Sequence, residues 1–402
     1  MSVFTVFFCG TGSNSEDHGH KNYMSGELIS SLAHNAVGQE VLDYLQVDGV
    51  GSGNRSEWQK HSKDDTYAHI LGELGGRGID SNMNHVLSIM RGDEVDKANY
   101  ISRSKDMLSD MKPKKKKHFW NLNVTQSYKS WMKEVEELSE DLQSALSLQR
   151  ASVAAERKAN PITQVNIVGW SRGGVSCFEL ANRMLHDPSL NHIPVNIFAC
   201  DPVPGGLNAF KDYKTLGVNV KNVVCFFAED ERSMCFKARM PRVHNSTRYY
   251  TSWMPGRHAT LVGNSHTSGG SKGGNVLTGP GTITRDFMEK VLVGWGTRLE
   301  NKKLMNLSRS AILGFYAQIK TNKDHYEAMH GQIYTVKNRL LWGSGNRIGQ
   351  KRETWHGIPI KRMEYPGIYQ DYGDAVNRHH SDVINNDIFA IKGLPRSLAI
   401  NS

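Results

Sequence analysis

A serine flanked by glycines is the first residue in this chain whose setting suits covalent chemistry. Ser171 lies in Val165-Asn166-Ile167-Val168-Gly169-Trp170-Ser171-Arg172-Gly173-Gly174, a G-x-S-x-G pattern preceded by a β-branched run and followed by a helix-compatible one. In that context the serine sits on a tight strand-to-helix turn, a nucleophile elbow, and the glycines stand where a Cβ would collide. The next backbone N–H, that of Arg172, would point at a developing oxyanion, and the start of a helix favours negative charge there. A bare G-x-S-x-G also fits an ordinary glycine turn. The strand, the helix and the extra Gly174 favour the nucleophile.

A serine hydroxyl is a weak nucleophile and needs a base, normally histidine, itself oriented by a carboxylate. On this kind of turn the partners follow in the order serine, acid, histidine. Asp201 ends the apolar run Val195 to Cys200 and precedes Pro202-Val203-Pro204-Gly205-Gly206, a turn that would fix its direction; Asp230, in Glu229-Asp230-Glu231, is the alternative acid. Asp201 also fits a simpler role, bracing that turn through its own backbone. Among seventeen histidines, His258 stands on the turn Pro255-Gly256-Arg257-His258 directly after the last candidate strand, and His380 in Arg378-His379-His380-Ser381-Asp382 is its rival, readable as a metal cluster too. A second oxyanion donor would come from Gly10, Thr11 or Gly12, the glycine turn after the first strand. That turn could also suit a phosphate, but neither G-x-x-x-x-G-K-[ST] nor G-x-G-x-x-G is present, so no nucleotide or other cofactor is assigned.

The elements that must position these residues alternate. Val3 to Cys9 reads as a strand, Ala33 to Leu45 as a helical stretch, and Val165 to Val168, Val195 to Cys200 and Val223 to Phe227 as further strands. The helical stretch Val175 to Leu185 between the second and third of these four strands makes a βαβ unit, so the fold class is α/β with a mostly parallel central sheet. Tyr249 to Met254 is a candidate final strand, and the glycine-rich segment Gly263 to Gly281 reads as a mobile entrance loop. Ser127 to Lys158 carries apolar residues at helical spacing. Helices are expected near Asp286 to Val293 and between Lys303 and Trp342. The expected organisation is a core over 1–300, with a basic and helical insertion at 100–160, followed by a helical and mixed C-terminal extension over 301–402.

Composition narrows the classes. With 38% hydrophobic and 22% charged residues, the 402-residue chain is neither fibrous nor largely disordered. No run approaches the roughly 18 apolar residues of a spanning helix. The apolar start lacks preceding basic residues and runs directly into Gly10, so it reads as a strand and not as a signal sequence, which places synthesis in the cytoplasm. Five widely spaced cysteines, without C-x-x-C, read as buried thiols rather than a disulfide framework. A net charge of +9 points to an anionic partner without naming one.

Taken together, Phe7-Phe8-Cys9-Gly10-Thr11-Gly12-Ser13-Asn14, Gly49-Val50-Gly51-Ser52-Gly53, Gly169-Trp170-Ser171-Arg172-Gly173-Gly174, Asp230-Glu231-Arg232 and Pro255-Gly256-Arg257-His258 resemble the bacterial α/β-hydrolases that include the type VI secretion lipase effectors. These motifs recur in the family's order over roughly residues 4 to 264. The resemblance implies a serine esterase or phospholipase with nucleophile Ser171, base His258 and acid Asp201, and it leaves Asp230-Glu231-Arg232 as a structural element. It also implies delivery to target-cell membranes through a secretion-apparatus or adaptor protein, and a cognate immunity protein. Two departures stand out: Cys9 occupies a position usually held by aspartate, and Ala259-Thr260-Leu261-Val262-Gly263 replaces Ser-Asp-Val-Gly-Gly.

A lipid substrate would require a basic and aromatic surface able to approach an anionic bilayer. Lys114, Lys115, Lys116 and Lys117, followed by Phe119 and Trp120, fit that peripheral contact, with Tyr128 and Trp131 extending it; a solvated loop accounts for the same run. No nucleic-acid-binding module accompanies it, so nucleic acid is not assigned as a partner. Two other functions compete with the lipase: a housekeeping esterase on soluble or polymeric esters, and a membrane- or nucleic-acid-binding protein on an inactive hydrolase scaffold.

Overall fold

The computed structural model describes residues 2–20, 23–50, 52, 79–92, 154–204, 215–231, 238–264 and 276–329, together with four two-residue strands between 335 and 359. The chain divides into two compact units, one formed by 1–87 with 162–402 and the other by 88–161.

The first unit is built on six strands: β1 (Val3–Phe8), β2 (Tyr44–Val47), β3 (Gln164–Trp170), β4 (Val195–Cys200), β5 (Val220–Ala228) and β6 (Arg248–Met254). All neighbours pair in parallel, in the spatial order β2-β1-β3-β4-β5-β6. Parallel strands covered on both faces are apolar along their whole length. β4 is accordingly buried at every position.

Alternate strand residues define two faces. Phe7, Val168, Trp170, Phe198, Cys200, Val224, Phe226 and Tyr250 share one core with side chains of α1 (Leu28–His34), α4 (Gly279–Gly294) and α5 (Arg309–Thr321). At its centre the rings of Phe226 and Phe287 stack 5.2 Å apart, with Tyr250 and Phe198 against them. α3 (Arg172–His186) packs on β3, β4 and β1 without joining that cluster, so it covers the opposite face. Two more helices are α2 (Ile79–Arg91) and α6 (Lys323–Ala328). Tyr326 and Met329 are buried in the same core as the sheet, so the chain through 329 belongs to this unit's packing.

The helix expected over Ala33 to Leu45 is instead the short α1, followed by a turn and β2. Gly38 at φ 124° and Val41 at φ 69° lie outside any right-handed helix, and Asn35 already caps α1. The glycine-rich segment read as a loop to Gly281 gives way to α4 at Gly279, where Pro280 suits the first helical turn. Cys9, Cys177, Cys200 and Cys225 are buried free thiols, while Cys235 lies outside the described residues. No helix among the described residues is long and apolar enough to cross a membrane.

One buried feature had no sequence signal. Asn166 accepts from Asn196 at 2.9 Å and Asn196 from Asn222 at 2.6 Å, a row of amides across β3, β4 and β5. Asn166 donates in turn to Thr297 and to the Trp295 carbonyl, so the buried amides of Asn166 and Asn196 are paired.

Candidate active site

The strand order reverses between β1 and β3, since β2 lies on one side of β1 and β3 to β6 follow on the other. Ligands of open α/β sheets bind at such a switch point, beyond the carboxyl ends of the strands. The turn after β1 carries Gly10, and the turn after β3 carries Ser171.

Ser171 occupies the step from β3 into α3 with φ 57° and ψ −127°, and it is 5% exposed. Its N–H donates to the Cys200 carbonyl at 3.0 Å and its carbonyl accepts from Val203 at 3.0 Å, so the turn is held from the neighbouring strand end. Asp201, one residue beyond β4, has φ 38° and donates its N–H to the Phe226 carbonyl. Of the four non-glycine residues with positive φ among the described residues, two are therefore Ser171 and Asp201. Such backbone geometry persists where surrounding contacts over-determine it, and it concentrates at functional sites.

His258 begins the short 3-10 helix His258–Val262 after β6. Its Nδ1 lies 2.6 Å from Oδ2 of Asp201, and both side chains are almost fully buried. The other oxygen of Asp201 accepts the Ala228 N–H at 3.1 Å. Burial raises the Asp201 carboxyl above its ordinary range, with the His258 hydrogen bond working in the opposite direction. The contact orients the imidazole with Nδ1 toward the carboxylate and Nε2 turned away from it.

The histidine turn is braced by two carboxylates. Glu231 accepts the His258 backbone N–H at 3.1 Å, and Asp230 accepts that of Gly256 at 2.6 Å while its own N–H donates to the Gly256 carbonyl. Asp230, weighed as an alternative acid, thus serves the backbone of the histidine turn, whereas Asp201 meets the imidazole. Arg257 donates from Nε and Nη2 to the Met329 carbonyl and ties the same turn to the end of the α6 region. The resemblance left Glu231 within a structural element without naming its partner, which is the backbone N–H of His258.

Three donors were candidates for the turn after β1. Gly12 is exposed and its N–H donates to the Val50 carbonyl at 3.1 Å, which removes it from the set and leaves Gly10 and Thr11. Gly10 is pressed against the indole of Trp170, where a Cβ would fall 2.3 Å from a ring carbon. Arg172 opens α3, where first-turn N–H groups have no intrahelical acceptor. His380 and the run Lys114 to Lys117, Phe119 and Trp120 lie outside the described residues.

A buried polar network anchors the glycine turn. Ser30 Oγ donates to the Asn14 carbonyl at 2.7 Å, which directs the Cys9 thiol to donate to Ser30 Oγ, 3.5 Å away. Gln46 donates to the Cys9 sulfur at 3.4 Å. Burial first, then the charges of Glu27 and Asp48, push the Cys9 thiol up, so it stays protonated and inert. Glu27 caps α1 with both oxygens, accepting from Ile29 and Ser30 at 3.0 and 2.9 Å.

Burial lifts the Glu27 carboxyl from 4.5 to about 7. Between those values the folded chain holds a proton that the unfolded chain has released, so this residue's contribution to stability declines as pH rises from about 4.5 to about 7. The expected loss is about 3 kcal/mol. Urea unfolding of wild type and Glu27→Gln at pH 5 and pH 8 checks this. The gap between the two proteins should shift toward Glu27→Gln at the higher pH, and a gap independent of pH would refute it. Asp201 shares the same sign in both proteins and cancels in the difference.

No described protein family matches this chain, and no curated protein matches it. Among solved structures it is similar to an uncharacterized protein from Pseudomonas aeruginosa, with a TM-score of 0.46 and 13% identity over 81% of this chain and 52% of that one. The chain therefore spans about half the length of that protein.

Proposed function

We propose that this chain is a serine-dependent carboxylic ester hydrolase on an α/β-hydrolase fold, with a nucleophile elbow at Ser171 and a Ser171–His258–Asp201 triad. The observation that carries this reading is the buried 2.6 Å contact between His258 Nδ1 and Asp201, at the strand ends beside a serine of positive φ. In this reading Ser171 Oγ attacks the acyl carbonyl while Nε2 of His258 takes its proton. Asp201 holds the imidazole in the tautomer that leaves Nε2 able to accept, and it stabilises the imidazolium. The N–H of Arg172 with that of Gly10 or Thr11 receives the oxyanion. Collapse expels the alcohol with the proton from His258, and water then cleaves the acyl-enzyme by the same steps in reverse.

The resemblance of the motifs to type VI secretion lipases supports a glycerophospholipid as the ester, an antibacterial role at target membranes, and both an immunity protein and a delivery protein as partners. The test is release of fatty acid and lysolipid from mixed phospholipid vesicles, with products identified by mass for wild type and Ser171→Ala. Serine-dependent release supports the phospholipase. Hydrolysis confined to soluble esters would retain the triad and replace the lipase with an esterase. Activity unchanged in Ser171→Ala would remove the elbow assignment.

A further inference from the structure

Trp170, between the glycine and the serine of the G-x-S turn, touches two parts of the site at once. Its ring centroid lies 4.7 Å from that of His258, with the planes inclined by 39°. The edge of the indole that carries Nε1 lies against Gly10 of the oxyanion turn. The side chain is 6% exposed, and its N–H meets no hydrogen-bond partner among the described residues.

That last fact is informative. An N–H buried without a partner is unfavourable, and phenylalanine would fill most of this slot without carrying one. What indole adds over phenyl is a π-face with a stronger attraction for cations, effective within about 6 Å and strongest where water is excluded. During acyl transfer the neighbouring cation is His258 itself. Nε2 gains the Ser171 proton, Nδ1 keeps its own toward Asp201, and the ring carries one positive charge until the proton passes to the leaving alkoxide.

We propose that Trp170 is a positioning residue for His258, whose indole face fixes the imidazole between Asp201 and Ser171 and stabilises the imidazolium formed in the reaction. This rests on the triad reading above. Of the charged groups nearby, Asp201 meets the ring itself, Glu231 accepts the His258 backbone N–H, Asp230 accepts that of Gly256, and the Arg257 guanidinium faces the Met329 carbonyl. Trp170 is the neutral partner, so replacing it alters the environment of the cation without altering charge.

The experiment is an NMR titration of the histidine ring carbons in wild type, Trp170→Phe and Trp170→Leu, with His258→Gln identifying the His258 signal. The His258 midpoint is expected to fall by about half a unit to one unit in Trp170→Leu, and by less in Trp170→Phe. The acid limb of kcat/KM should move down in pH by the same amount, while kcat falls about 3- to 10-fold at the pH optimum. A midpoint unchanged in both variants overturns the proposal, as does a fall in kcat without movement of the acid limb, which is the mark of a purely steric role. Should Trp170→Leu fail to fold, Trp170→Phe, which keeps a smaller aromatic ring in the slot, decides by the same readouts. The titration needs no turnover, so loss of the triad reading, reported by Ser171→Ala, stays distinguishable from loss of this one.

Discussion

The double variant Ser171→Ala/Asp201→Asn is expected to be no less active than Ser171→Ala alone. Singly, Ser171→Ala should lower kcat by about 10⁶-fold and Asp201→Asn by about 10⁴-fold, with KM little changed. Independent effects would multiply to about 10¹⁰, but members of a triad act as a unit, and once the nucleophile is gone the orientation of its base has nothing to act on. The size expected for Asp201→Asn follows from its two bonds. One oxygen already accepts the Ala228 N–H, so an asparagine keeps its carbonyl there and presents its NH₂ to His258 Nδ1. The opposite amide orientation would set donor against donor at Ala228. Facing a donor, Nδ1 must become the acceptor, which moves the ring proton to Nε2, the atom that should receive the serine proton. Steady-state hydrolysis of a chromogenic ester by all three variants measures this. Asp201→Asn retaining more than a tenth of wild-type activity would sink the assignment of Asp201 as the acid.

Five of the six parallel strands and their ends were legible because each is a short apolar run closed by a turn, whereas the start of β2 was read as part of a helix. Ser171, Asp201 and His258 could be put forward from that rule with the G-x-S-x-G spacing, as each lies on the turn after a strand and parallel pairing carries all these ends to one edge. The choice of Asp201 over Asp230 and of His258 over His380 leaned also on the family resemblance. The rule is silent on side chains that act on a backbone far away in sequence. Asp230 and Glu231 follow a strand as Asp201 does, and nothing local says that one carboxylate meets an imidazole while the others meet the N–H groups of Gly256 and His258. Gly12 likewise looked equivalent to Gly10 until the carbonyl of Val50 was seen to occupy it. Residues 33–45 misled through period: seven helical residues and a four-residue strand, joined by a turn, leave apolar spacings that a single longer helix also satisfies. The row Asn166, Asn196 and Asn222 is invisible in any one strand because its meaning lies in the register between three.

Gly173→Ala is expected to destabilise the chain by about 3 kcal/mol or more, while the same substitution at Gly314 should stabilise it by about 0.5–1 kcal/mol. A Cβ at Gly173 would stand 2.2 Å from the Phe8 carbonyl oxygen and 2.6 Å from that of Cys9. Both are backbone atoms at the end of β1, and neither can retreat alone. Phe8 is in register with Gly169 on β3, and the Cys9 N–H is bonded to Val47 on β2. Relief therefore requires α3 to lift from the sheet or the turn after β1 to shift, and either movement separates Arg172 from Gly10 and Thr11. Activity in the folded fraction should fall about 10²-fold, since a displacement near 1 Å in a catalytic constellation costs on that order. Gly314 faces nothing within 4 Å and sits inside α5, where alanine only removes freedom from the unfolded chain. Urea midpoints of the two variants, with ester hydrolysis measured on the folded protein, separate close backbone approach from helix propensity. Equal midpoints would mean that α3 does not lie against β1 as closely as its glycines allow.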